Sequence, residues 1–252
     1  SEPIVFNKAP NTLVGPDDGV RIPRGSTKPD WEVELGIVIG RRTSYLDSVE
    51  EARDAIAGWV VVNDVSERAF QIERGGQWVK GKSHDTFGPL GPWLATKDEI
   101  KDVQNLSMWL DVNGQRRQTG STKTMIFSMA KCISYVSQFM TLLPGDIVTT
   151  GTPPGVGTGM KPPQFLNVGD VVTLGIEGLG EQPPDAGGAE AGEHLDERRR
   201  GLREELGAGL VRDGLGQQRL AGAGRAVEQD ALRRLRPEPL EGLRVLEELD
   251  DL

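Results

Sequence analysis

Cysteine is almost absent from this 252-residue chain. Its one thiol, Cys132, excludes an intrachain disulfide framework and cannot alone build a thiolate metal site. It stands in FSMAKCISYVSQFM, an apolar stretch that reads as helical, where a free thiol packs as a small buried hydrophobe. Histidine is also scarce, with only His84 and His194. No apolar run is long enough to span a bilayer, and no basic, apolar leader opens the sequence, so a soluble cytoplasmic protein with no membrane partner is expected. An excess of basic residues is missing too. With 29 Lys and Arg against 38 Asp and Glu, the formal charge is −9, which argues against nucleic acid as a partner because phosphate binding needs a basic surface.

What is present divides near Gln182. Residues 1–182 draw on the whole amino-acid alphabet and carry β-rich runs: ELGIVIG, GWVVVND, LSMWLDVNG, DIVTTGT and DVVTLGIEG. Turn signals such as PDDG, VNG, LPGD and NVGD stand between them, which predicts a mainly β domain with a few short helices. One helix is expected over about Ser48 to Ala57, capped by Ser48 with Glu51 completing a capping box. A second is expected over about Ser128 to Met140. Residues 183–252 contain no Lys, Ser, Thr, Ile, Phe, Trp or Tyr. Leu202, Leu206 and Leu210 keep helical spacing, but recurrent glycines each cost roughly 0.5–1 kcal/mol in a helix interior. This tail is expected to be disordered or partly helical. Its bias is that of a GC-rich gene read out of frame, and a naturally disordered tail is the alternative.

The segment DWEVELGIVIG carries the most chemistry. Residues two apart on a strand share a face, so Glu32 and Glu34 project together while Trp31, Val33 and Leu35 face the other way. Paired carboxylates repel unless a cation or proton lies between them. The next run, GWVVVND, brings Asp64 to the point where its apolar stretch stops. Three carboxylates at strand ends form an oxygen set suited to a hard divalent ion. No His or Cys stands near them in sequence, which disfavours zinc or copper. By itself an E-x-E pair is weak evidence, since most such pairs are the solvated face of an antiparallel edge strand, and the motifs that follow change that weighing. After Asp64, the residues Arg68, Gln71, Lys80 and Lys82 are expected close to the same site, where a lysine can pair with an anionic substrate. The Gly/Pro loop TTGTPPGVGTG offers hydroxyls and backbone N–H groups that can cradle a carboxylate.

In order, FNKAPNTLVGP, DWEVELGIVIG, VVNDVSERAFQ, GKSHDTFGPLGPW, NGQRRQTGSTKTMIF, LLPGDIVTTGTPPGVG and NVGDVVTLGIEGLG resemble the fumarylacetoacetate hydrolase family from about Pro3 to Gln182. The resemblance implies a mixed β roll, a homodimer and a magnesium ion, with manganese as an alternative. It implies metal ligation by Glu32, Glu34 and Asp64, and an active-site lysine at Lys82. Gln71 and Thr152 are then substrate contacts, and His84 is structural or surface. The implied chemistry is Mg²⁺-dependent cleavage of a C–C or C–N bond in a small oxo-acid. Isomerisation, decarboxylation or metal-dependent binding without turnover are the alternatives. The stretch QIERGGQWVKGK is most similar to members labelled ureidoglycolate lyases or 2,4-dioxo sugar-acid hydrolases.

Members of the family usually carry a His and a Glu on a lid segment upstream of the FxKAP motif, and Ser1 lies only a few residues before FNKAP. A positioned general base is worth on the order of 10²–10⁴ in rate. The 252-residue chain is therefore expected to bind metal and oxo-acid while turning over poorly. In a thermal melt Mg²⁺ should raise the melting temperature, and C–C cleavage should stay near background. Robust turnover by this chain would contradict the expectation.

Overall fold

The computed structural model describes residues 2–182, 210–213 and 217–220. Its centre is built by period-two alternation. In β3 (Val33–Ile39), Val33, Leu35, Ile37 and Ile39 share one face and enter the hydrophobic core. The neighbouring β4 (Ile56–Asn63) pairs antiparallel in the register Val33↔Asn63, Leu35↔Val61 and Ile37↔Trp59, so Val61 and Trp59 join that core face. The first sheet runs β10 (Ile147–Thr149), β3, β4, β7 (Ala95–Thr96).

A second sheet runs β12 (Gly180–Gln182), β11 (Val172–Ile176), β8 (Ser107–Val112), β9 (Gln115–Ser121). Met108, Leu110, Leu174 and Ile176 of this sheet share one buried cluster with the core face of β3 and β4. Two short pairs complete the β framework. β1 (Leu13–Val14) runs parallel to β6 (Gly88–Pro89), and β2 (Pro29–Asp30) runs antiparallel to β5 (Ser66–Glu67). The architecture is the expected mainly β, mixed one. Among the described residues no helix is long and apolar enough to cross a membrane.

Both expected helices form, and both are shorter than the sequence suggested. α1 (Val49–Asp54) begins at Ser48, whose Oγ accepts from Glu51 N at 3.1 Å. The Glu51 carboxylate accepts from Asp47 N rather than from the cap residue, so the reciprocal half of the box is shifted by one residue. Ile56 and Ala57 lie in β4 instead, because the β-branched run that follows pairs with β3. α4 (Met129–Ser137) starts at Ser128, whose Oγ accepts from Lys131 N, and buries Cys132 and Ile133. Burial raises the Cys132 thiol pKa, as fits an inert packing role.

Two further short helices, α2 (Arg68–Ile72) and α3 (Val79–Lys82), follow β5. They lie close together because α3 carries Gly81. A Cβ there would stand 2.5 Å from both the Glu67 carbonyl oxygen and Gln71 Cβ. The tail expected to be disordered or partly helical lies outside the described residues, apart from β13 (Leu210–Asp213) pairing antiparallel with β14 (Gln217–Leu220). Leu210 is thus in a strand rather than a helix.

One buried side chain ties the two sheets together. Gln118 of β9 accepts from Val33 N at 3.0 Å and donates to Thr152 Oγ1 and to the Pro153 carbonyl, both at 2.8 Å. Gln118→Leu keeps the volume but leaves the Val33 N–H buried without its acceptor. We expect a loss of about 1–3 kcal/mol in urea denaturation, with little change in m. Unchanged stability would show that the tie is dispensable.

Candidate metal centre

The same register that builds the core sets up the opposite face. With Val33 opposite Asn63, Glu32 falls opposite Asp64, and Asp64 N donates to the Glu32 carbonyl at 2.9 Å. Glu32, Glu34 and Asp64 therefore point to one side. One oxygen from each lies within 4.8 Å of the others, and all three residues are buried. The three sequence-derived carboxylates are brought together by strand pairing alone.

Three cations are built around them. Lys82, at the end of α3 and 1% exposed, donates from Nζ to Glu32 Oε2 at 2.7 Å and to Asp64 Oδ2 at 2.5 Å. Arg68, on α2, donates from Nη2 to Glu32 Oε1 at 2.6 Å and from Nε to Asp30 Oδ2 at 2.8 Å. Lys8 donates to Asp64 Oδ1 at 2.6 Å and also to the carbonyls of Val65 and Lys82. Asp30, Glu32 and Asp64 thus meet three cations. Glu34 is the fourth carboxylate, and it accepts a hydrogen bond from Gly151 N at 2.8 Å. Among the described residues no ammonium or guanidinium lies within ion-pair distance of it.

The electrostatics follow that layout. Burial, reinforced by the Asp64 and Glu32 charges, pushes the Glu34 carboxyl well above the ordinary value of 4.5. Burial also works against charge on Asp64, but the Lys8 and Lys82 ammoniums overcome it and hold that carboxyl below its usual range. For Lys82, burial is outweighed by Asp64, Glu32 and Glu34, so its pKa is raised and the ammonium is retained. A buried oxygen donor set with one unneutralised carboxylate, and no His or Cys among its ligands, fits a hard divalent cation.

The other expected residues fall at different distances from this centre. Gln71 is buried and accepts from Arg68 Nη1 at 3.1 Å, so it joins the cluster through the guanidinium. Thr152 lies one residue from the Gly151 amide that holds Glu34. Its hydroxyl donates to the Val33 carbonyl at 2.9 Å and accepts from Gln118. Lys80, expected near the site, is exposed and donates to the Arg74 carbonyl, because its neighbour Gly81 faces α2. His84 packs between the rings of Phe70 and Phe87, with centroids 5.4 and 5.2 Å away.

Lys8, Asp30 and Gln118 were not singled out from sequence. All three do sit in the motifs FNKAP, DWEVEL and NGQRRQ, which was the one signal available. Phe6 was also missed; its ring lies 4.9 Å from Lys82 Nζ and packs on Trp78 at 5.4 Å.

The raised Glu34 pKa has a measurable consequence. In the unfolded chain this carboxyl loses its proton near 4.5, whereas in the metal-free fold it does so only at higher pH. Its stabilising contribution is complete below about 4.5 and is lost as pH rises through the raised value. Glu34→Gln, which keeps an oxygen for the Gly151 N–H, should stabilise the metal-free chain increasingly with pH. Each tenfold difference in proton affinity between folded and unfolded states is worth about 1.4 kcal/mol. Thermal melts in chelator from pH 4 to 8 test this, and a pH-independent difference would contradict it.

Known proteins share this framework. The family model described as the fumarylacetoacetate (FAA) hydrolase C-terminal region matches residues 1–183. A Burkholderia cenocepacia (strain HI2424) protein, provisionally named a hydrolase, is 59% identical over 182 residues, covering 72% of this chain and 64% of the relative. The chain thus spans less than two-thirds of the length of that relative. The solved fumarylacetoacetate hydrolase of Exiguobacterium antarcticum is 41% identical with a TM-score of 0.69, covering 72% of this chain and 65% of that one. A 5-carboxymethyl-2-hydroxymuconate delta-isomerase from Mycobacterium smegmatis is 36% identical with a TM-score of 0.65, covering 72% and 67%. Motif order, fold and family match agree: this chain belongs to the fumarylacetoacetate hydrolase family.

Proposed function

We propose that the chain carries the metal centre of a Mg²⁺-dependent enzyme that cleaves a C–C or C–N bond in a small oxo-acid. The convergence of Glu32, Glu34 and Asp64, with Glu34 in no ion pair among the described residues, supports this reading most directly. Magnesium is favoured by the all-oxygen donor set, and manganese suits the same ligands. The similar solved proteins are named as a hydrolase and as isomerases. Those names differ in reaction type, so the reading of bond cleavage rests on the metal-ligand geometry and on the hydrolase name.

The residues divide the work as follows. Glu32, Glu34 and Asp64 would hold the ion, each offering one oxygen. When bound, the ion would polarise the substrate keto oxygen and take up developing negative charge, a contribution of several kcal/mol. Lys82 keeps a buried ammonium against two of the ligands, where it steadies Glu32 and Asp64 and presents positive charge to an anionic substrate. Arg68 fixes Glu32 and Gln71 together, leaving the Gln71 amide nitrogen as a donor toward substrate. The Phe6 and Trp78 rings wall the Lys82 side and exclude water from it.

Calorimetric titration with oxalate, a bidentate oxo-acid mimic, tests the reading. Oxalate should bind in Mg²⁺ and lose at least about 100-fold in affinity in chelator, as expected when a metal supplies the main anchor. Replacing Glu32, Glu34 and Asp64 together with Ala should abolish the metal dependence. Equal oxalate affinity with and without Mg²⁺ would refute the proposal.

A further inference from the structure

Asp30 is fully buried and lies two residues before Glu32, on the strand edge where β2 ends. Its carboxylate accepts four N–H bonds. Oδ1 takes Trp31 N at 2.9 Å and Gly157 N at 2.7 Å, and Oδ2 takes Thr158 N at 3.0 Å and Arg68 Nε at 2.8 Å. Two of these donors belong to the Gly/Pro loop that begins at Gly151, whose amide holds Glu34. The Gly157 backbone can approach so closely only because it has no side chain: a Cβ would stand 2.9 Å from Asp30 Oδ1 and 1.9 Å from the Gln164 carbonyl oxygen. The fourth donor is the guanidinium that grips both Glu32 and Gln71.

We infer that Asp30 is a positioning residue that sets Glu32 and Gln71 through Arg68 and locks that setting to the loop of residues 151–158. The inference rests on the metal-centre reading above and adds to it. An arginine beside a metal-ligating carboxylate is a competitor for it. If Arg68 were free to swing, its charge-assisted bonds would draw Glu32 away from the cation. Asp30 prevents this by holding Nε on the far side, so that the planar fork offers only Nη2 to Glu32 and Nη1 to Gln71. The same carboxylate holds the loop amides, so an ion that tightens Glu32 also tightens Gly157 and Thr158. Trp31 lies in the core on the reverse face and keeps the strand from yielding instead.

The probe is Mn²⁺ alone, titrated calorimetrically into the full chain. Asp30→Asn retains shape but turns an N–H donor toward donors and loosens Arg68; it should weaken Mn²⁺ by about 10–100-fold, the usual effect of losing a partner that orients a metal ligand. In an Arg68→Gln background the same substitution should change affinity by no more than about twofold, because its route is gone. Independent, multiplicative losses would overturn the inference, as would full affinity in Asp30→Asn. Should that variant not fold, amide hydrogen exchange on the unaltered chain decides. Mn²⁺ should slow exchange at Gly157 and Thr158 several-fold, and Arg68→Gln should abolish the slowing. Slowing that persists without Arg68 would overturn the relay. An unaltered chain that takes up no Mn²⁺ would instead sink the metal-centre reading beneath it.

Discussion

The pairing of β3 with β4 in one register is the constraint on which the rest depends. It places Val33, Leu35, Ile37, Trp59 and Val61 on the core side and Glu32, Glu34 and Asp64 on the other. A slip of one residue would send the apolar set outward and the carboxylates into the core. The large apolar burial of the sheet therefore enforces an arrangement that the acids, left to themselves, would resist. Like charges held this close and this dry are unfavourable unless other charges compensate them.

Compensation arrives from elements far apart in sequence. Lys8 precedes the first strand, Arg68 and Lys82 sit on short helices after β5, and Gly81 allows those helices to approach closely enough for Lys82 to reach. Among the described residues the compensation stops one charge short, at Glu34. On the proposed reading, that shortfall marks a place for a cation rather than a self-contained salt-bridge network. In the latter, every acid would carry a basic partner and the buried charges would serve only structure.

The strands and the three acids were legible in the sequence because both are encoded locally. Alternation announces which face is buried, and E-x-E announces which side chains leave together. Helix lengths were less legible. Ser48 marked the true start of α1, but its end was set by the demand of Ile56 for a place in β4, a tertiary matter. Least visible were residues whose roles depend on long-range geometry. Gln118 joins two sheets across 85 residues of chain, and Asp30 meets the Gly157 amide across 127. Thr152 also has long-range partners that the sequence did not announce: its hydroxyl donates to the Val33 carbonyl and accepts from Gln118. The Lys80 and Lys82 pair makes the same point, since two lysines two residues apart end in solvent and in the charge cluster respectively.

The most direct test is anomalous diffraction from crystals grown with Mn²⁺. The account predicts one strong manganese peak per chain, coordinated by one carboxylate oxygen each from Glu32, Glu34 and Asp64. A peak at other residues, or none at this site under saturating Mn²⁺, would contradict it.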